Sequence, residues 1–306
     1  MQYESSYSVI LIIILLKINF KILVLFSNDL ATETLREVPS NFQKFYSEHK
    51  YISPEWLDWF IGFLEGDGGL HVHKGRIYVT ITQKERQVLD EIKLILGFGH
   101  VKFDASMNCY RYLVQNIESC YILALLLNGN LVQQHRVNQL KNCISILKEK
   151  GYNIDHIDIC RVPTHNDSWV SGFTDAEGCF NLVILKRTSS RTGYRPIIRF
   201  TLGQRDERAL LLIRDIFGFG SVSEVKSINP GYFRYTINSI KNSLSIVEYY
   251  RRFPLKTKKA LAFDKWCEIR TKLINKDHLS IEGLEIIAKL GKLINKVNSE
   301  INLKKD

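Results

Sequence analysis

Six cysteines in 306 residues, none of them in a CxxC pair, leave no zinc ribbon and no thioredoxin-type motif to read. Cys109, Cys120, Cys143, Cys160, Cys179 and Cys267 are scattered, as buried thiols in a reducing compartment would be. An uninterrupted apolar span is missing as well. VILIIILLKINFKILVLF (Val9–Phe26) approaches the length of a bilayer crossing, but Lys17, Asn19 and Lys21 sit inside it. A lysine near the centre of such a segment costs about 3 kcal/mol. The lysines also spoil the apolar core of a secretory signal, and the stretch is not an Arg- and Ser-rich presequence. Residues 1–50 are therefore expected to be an apolar N-terminal extension, not part of the core fold, and a membrane partner is not expected. Acidic residues are the minority: 32 Asp and Glu stand against 42 Lys and Arg, a formal net charge of +10. Such a chain is attracted to polyanions, of which nucleic acid is the commonest.

The 45% hydrophobic content suffices for a globular core. Residue choice leans towards Ile, Asn, Lys, Tyr and Phe, as in SINPGYFRYTINSIKNSLSIV. Those residues favour AT-rich codons and hint at an organelle genome, the mitochondrion first and the chloroplast as alternative.

The most informative feature is an internal repeat. WFIGFLEGDGGLHV (Trp59–Val72) resembles WVSGFTDAEGCFNL (Trp169–Leu182), with Gly62 matching Gly172 and Asp67 matching Glu177. Further on, Gln83 aligns with Gln204, Gly97-Phe98-Gly99 with Gly218-Phe219-Gly220, and YRYLVQNI with FRYTINSI, at a larger offset. The second copy's insertion falls in KRTSSRTGYRP, whose Ser, Thr, Gly and Pro content reads as a long hairpin loop.

Each copy reads α-β-β-α-β-β-α. A short apolar helix leads into the acidic motif, and the glycine after the acid, Gly68 or Gly178, suits a helix end. In RIYVTIT, Ile77, Val79 and Ile81 alternate with Arg76, Tyr78, Thr80 and Thr82, and RPIIRFT repeats the pattern with Arg195, Arg199 and Thr201 on one face. Helices are expected over about residues 85–96 and 207–216. A linker is expected near IDHIDICRVPTHNDS, where Asp167 or Ser168 could cap the second motif helix. The fold class is thus α+β, two pseudo-symmetric repeats at 51–155 and 156–306, with buttressing C-terminal helices in the second.

Two helices with small residues before the acid (Gly62 and Gly66, Gly172 and Ala176) can approach closely and bring Asp67 and Glu177 together. Carboxylates that near repel unless protons or cations intervene. Divalent metals resolve the clash and supply the activated water and charge neutralisation of phosphodiester hydrolysis. Mg2+ suits oxygen ligands. His71-Val72-His73 lacks an obvious third ligand for zinc and reads better as a strand face turned to phosphate.

The two motifs, FIGFLEGDG (Phe60–Gly68) and VSGFTDAEG (Val170–Gly178), with the GFG turns and PLKTKKAL, resemble the LAGLIDADG homing endonucleases in their single-chain, two-repeat, intron-encoded form. The resemblance covers roughly residues 51–300. It implies a saddle-shaped pair of antiparallel sheets over double-stranded DNA with a long recognition site, a monomer that is an internal pseudo-dimer, and Mg2+-dependent double-strand cleavage in intron homing. The alternative on the same fold is a maturase that binds host intron RNA. Asp67 and Glu177 correspond to the metal-binding acids, with the carbonyls of Gly66 and Ala176 as lesser ligands. Gln83, Gln204 and Lys256 correspond to polar groups that hold water and stabilise phosphate charge. The position matching Lys256 in the first repeat is Val132, so the site is expected to be asymmetric. DNA contacts are expected from His71, His73, Arg76, Tyr78, Thr80, Asn181, Arg187, Arg195, Arg199 and Thr201.

Overall fold

Two helices of matched sequence open the two halves of the chain in the computed structural model, which describes residues 42, 52–158, 162–226 and 230–302. The first, α1 (Pro54–Asp67), starts where the Ser53 hydroxyl accepts from Trp56 N at 3.2 Å and Pro54 takes the first helical position. Then come β1 (Gly68–His73), β2 (Arg76–Gln83), α2 (Arg86–Leu96), β3 (His100–Asp104), β4 (Cys109–Val114), α3 (Ile117–Leu127) and α4 (Gln134–Glu149). The second half runs α5 (Trp169–Glu177), β5 (Gly178–Lys186), β6 (Tyr194–Gln204), α6 (Glu207–Phe217), β7 (Ser221–Glu224), β8 (Phe233–Ile237), α7 (Ser243–Arg252) and α8 (Lys259–Ile274). A 3-10 turn (Asp277–Leu279) and α9 (Ile281–Asn302) follow, with no counterpart described in the first half. The described residues all belong to one compact unit, Glu37–Asp306.

The strands form two four-stranded antiparallel sheets of identical topology, β1-β2-β4-β3 and β5-β6-β8-β7. The alternation read in the sequence decides which face is covered. Ile77, Val79 and Ile81 are buried, while Arg76, Tyr78 and Thr80 keep solvent access. In the second sheet Phe180 pairs with Phe200 and Leu182 with Ile198 on the covered side. Helices α2 and α6 bury the same stripe, Val88, Leu89, Ile92 and Leu96 against Ala209, Leu210, Ile213 and Phe217. Both end on a left-handed glycine, Gly97 (φ +77°) and Gly218 (φ +75°). The Tyr112 and Tyr235 hydroxyls then donate to Phe98 O (2.9 Å) and Phe219 O (2.8 Å), fixing the two GFG turns.

The hairpin insertion is the turn between β5 and β6, closed by Arg187 N donating to Gly193 O at 2.8 Å. The C-terminal helices buttress the second sheet: Trp266 Nε1 donates to Arg199 O (3.2 Å), and Asn298 Nδ2 to Phe180 O (2.9 Å). Asp167 rather than Ser168 serves the start of α5, its carboxylate accepting from Trp169 N at 3.1 Å, while the Ser168 hydroxyl donates to Glu55 O. Gly68 and Gly178 have extended backbones, φ −94° and −78°, not the left-handed one expected of a helix-ending glycine. Space explains them instead, since a Cβ there would strike the Leu64 or Thr174 carbonyl. Val9–Phe26 lies outside the described residues, among which no helix is long and apolar enough to cross a membrane. Phe42 is 1% exposed and belongs to the core cluster.

Candidate active site

The site is built on the crossing of α1 and α5. Gly62 lies against the carbonyl of Trp169, and Gly172 against that of Trp59. A Cβ at either would fall well inside van der Waals contact of a backbone oxygen, so only glycine permits this approach. One turn on, Gly66 faces Ala176 and the Glu177 side chain.

Two buried acids lock the crossing reciprocally. Glu65 (0% exposed) accepts from Trp169 Nε1 of the opposite helix at 2.8 Å, and Asp175 (1% exposed) accepts from Trp59 Nε1 at 2.8 Å. The same carboxylates receive the chain ahead of the fourth helix in each half, α4 and α8. Glu65 accepts from Val132 N (2.8 Å) and Gln133 N (2.7 Å), and Asp175 from Lys256 N (2.8 Å) and Thr257 N (3.0 Å). Thr257 Oγ1 adds a fourth donor at 2.6 Å. Burial pushes the Asp175 carboxyl upward, against hydrogen bonds from Thr257, Lys256 and Trp59 that hold it down. The matched bonds place Val132 opposite Lys256, the alignment expected from sequence.

Asp67 and Glu177 end their helices, where unsatisfied carbonyls carry partial negative charge. A cation answers each end. Arg136 donates to Glu65 O (3.1 Å) and Gly66 O (3.4 Å). Lys259 Nζ donates to Thr174 O (3.1 Å), Asp175 O (2.8 Å) and Ala176 O (2.7 Å). Burial lowers the pKa of both cations. The opposing attraction reaches Arg136 from Glu65, Glu177 and Asp67, and Lys259 from Asp67, Asp175 and Glu177. Both motif acids end helices that meet at one crossing, where Gly66 faces Ala176 and the Glu177 side chain.

The remaining predicted polar groups divide. Gln83 Nε2 donates to Asp67. Gln204 turns away, its Oε1 accepting from Arg205 N at 2.8 Å. Lys256 also points elsewhere: its Nζ pairs with Glu91 at 2.9 Å and lies 5.4 Å from the Trp59 ring centroid. The lysine that reaches a motif helix end is Lys259, three residues later. Sequence reasoning missed Arg136, Lys259, Glu65 and Asp175. The buried acids had a visible signal, since Glu65-Gly66-Asp67 and Asp175-Ala176-Glu177 share an acid-small-acid pattern.

On the open face of the first sheet His71 stacks on Tyr78 at 4.9 Å and bonds Thr80 Oγ1 at 3.1 Å. His73 and Arg76 are exposed partners at the hairpin end. On the second, Asn181 opposes Arg199, whose Nε donates to Asn238 Oδ1 at 3.0 Å. Arg195 is exposed, and Arg187 lies in the turn with its Nε donating to Ser189 Oγ at 3.1 Å. Thr201 is only 8% exposed, with its hydroxyl directed at Cys179 O. Arg111 and Arg234, opposite Thr82 and Gly203, add cations to these faces. The shared alternation in YRYLV and FRYTI could have found them.

Two matched α-β repeats are joined across a glycine-lined crossing, with one motif acid from each ending a crossing helix. Residues 170–270 match the family model described as LAGLIDADG endonuclease, and the chain belongs to that family. It is 36% identical over 257 residues to a probable intron-encoded endonuclease 4 of Neurospora crassa, covering 82% of this chain and 46% of that one. It is 26% identical over 220 residues to the intron-encoded RNA maturase bI4 of Saccharomyces cerevisiae, covering 71% and 32%. The chain thus spans less than half the length of these two relatives. Its fold matches the LAGLIDADG meganuclease I-AabMI bound to uncleaved DNA, with a TM-score of 0.66 and 23% identity over 77% of this chain and 98% of that one.

Proposed function

We propose that this chain is a site-specific double-strand DNA endonuclease of the intron-homing kind, acting as a monomer whose repeats, residues 51–155 and 156–306, each serve one DNA strand. The observation that carries this reading is the close crossing of α1 and α5, whose last residues are Asp67 and Glu177 and where Gly66 faces Ala176 and the Glu177 side chain. The donors offered there, two carboxylates with the Gly66 and Ala176 carbonyls beside them, are all oxygen, which suits Mg2+. Asp67 and Glu177 would hold the ion, and bound metal would supply an activated water and neutralise the leaving oxygen. Arg136 and Lys259 already occupy one side of those two carbonyls, so the carboxylates are the principal ligands. The basic open faces of the sheets take the duplex, with His71, His73, Arg76, Tyr78, Thr80, Asn181, Arg187, Arg195 and Arg199 at the groove and Thr201 at its margin. Relatives named for cox1 and ND4 introns support a mitochondrial setting.

The test is cleavage of a duplex carrying the host gene's uninterrupted exon junction, with Mg2+. Asp67→Asn and Glu177→Gln are expected each to abolish double-strand cutting while binding stays within about threefold. Full-rate cutting by either variant overturns the assignment. The likeness to a maturase favours a second reading, assistance to splicing of the host intron RNA. Tight binding of that RNA with faster splicing by purified protein would support it, and failure of both would remove it.

A further inference from the structure

The open faces of the two sheets differ in a way that charge does not explain. On the first, the groove positions of β1 and β2 are polar or aromatic: His71, His73, Arg76, Tyr78 and Thr80. On the second, the same alternation presents Val183 and Leu185 on β5 and Ile197 on β6, between Arg195 and Arg199. Val183 and Ile197 are direct cross-strand partners. Both keep partial solvent access, and Leu185 is 47% exposed. They add nothing to the core, which lies on the other side under Phe180, Phe200 and Ile198. Three clustered aliphatic side chains framed by arginines ask for an occupant that is polyanionic overall and apolar at the edge it offers. In a major groove only thymine fits, because it alone presents a methyl group there.

Resting on the DNA reading above, we propose that Val183, Leu185 and Ile197 read thymine 5-methyl groups. The half-site under the second sheet is then thymine-bearing, while the half under the first is read by hydrogen bonds. Strand geometry agrees with the spacing of bases. Residues two apart on a strand are about 6.6 Å apart, close to two base-pair steps of about 3.4 Å. Val183 and Leu185 would therefore meet thymines two steps apart, with Ile197 beside the first.

The experiment selects duplexes from a random-sequence library with the full chain in EDTA. The selected duplex is then remade with deoxyuridine for thymidine in one half-site at a time. The half read by the second sheet is the one whose base preference changes in Val183→Asn and Ile197→Asn. Uracil in that half is expected to weaken binding about tenfold or more, and uracil in the other half less than threefold. The two variants are expected to bind the thymine and uracil duplexes alike, with melting temperatures near that of the parent. Equal affinity for uracil and thymine in the half-site assigned to the second sheet, or a selected site without thymine there, overturns the proposal and leaves the nuclease reading standing. Failure to enrich any duplex overturns both.

Discussion

Asp67 and Glu177 close equivalent helices, yet the two halves hold them differently. Beneath the acids the halves agree closely: a tryptophan from each helix binds the other's buried carboxylate, and that carboxylate receives two backbone amides of its own half. At the acids they diverge. Asp67 accepts from Gln83 and has Arg136 behind it, whereas Glu177 has Lys259 behind it and Gln204 turned aside. The difference teaches where symmetry is enforced. A change in the crossing propagates to both repeats through backbone contact, so its parts must match. A side chain beyond the crossing answers to one repeat only, and it is free to differ.

The largest expected effect comes from breaking the shared layer. Gly62→Ala and Gly172→Ala each push a methyl into a backbone carbonyl that no rotamer change can move. Overpacking costs about 1–3 kcal/mol where side chains can adjust, and these sites offer only backbone. Each variant is expected to lower the melting temperature by about 10 °C or more. The double variant should fall short of the sum, because one crossing is being opened twice. Thermal melting followed by circular dichroism checks this, and a wild-type Tm for either single variant would refute the close approach.

Next come the two cations. Lys259→Met removes the shared donor of three helix-end carbonyls, of which Thr174 O keeps the Gly178 amide and the other two, on Asp175 and Ala176, are freed. Arg136→Met frees only Gly66 O, because Glu65 O still accepts from Gln133 Nε2 at 3.3 Å. Unsatisfied buried acceptors cost about 1–3 kcal/mol each. Lys259→Met is therefore expected to be the more destabilising, and equal losses in urea unfolding would erase the distinction between the halves.

A smaller effect, confined to rate, separates the glutamines. Losing a partner that orients a ligand typically costs about 10–100-fold. Gln83→Ala is expected to slow one strand by that much, and Gln204→Ala to alter the other less than threefold. End-labelled duplexes resolve the strands. Equal slowing of both by both variants would restore a symmetric site.

How far the sequence foretold this follows the same division. The repeat, the alternating strands, the GFG turns and the close helix pair were legible, because each is a local pattern written twice. Arg136 and Lys259 were not. They reach the motif ends from helices far along the chain, and the backbone anchors that align Val132 with Lys256 do not put the two cations in register. Lys256 was nominated because PLKTKKAL offers several lysines. Which one turns inward depends on α8 starting at Lys259, while Lys256 is drawn out to Glu91 of the other repeat. Gly68 and Gly178 were read as conformational glycines when the neighbouring turn simply leaves no room for a side chain.

The smallest expected effect tests whether the difference extends to the groove. His71 occupies the motif position held by Asn181 in the second repeat, so only the first can titrate there. Burial lowers the His71 pKa below its ordinary 6.5, with the charges of Arg136 and Arg111 acting in the same direction. The unfolded chain then binds more protons than the folded one just below pH 6.5. This contribution to stability is complete above pH 6.5 and is lost as pH falls through the depressed value. DNA acts with the opposite sign, since phosphate favours the protonated ring. Free protein should lose a little Tm on acidification while affinity for the duplex rises. An exposed charge contact is worth about 0.2–1 kcal/mol, so the gain is about threefold. His71→Asn makes the first repeat resemble the second and should abolish both trends relative to wild type. If the variant retains the same pH dependence of binding, the response belongs to another group and the two groove faces do not differ in this respect.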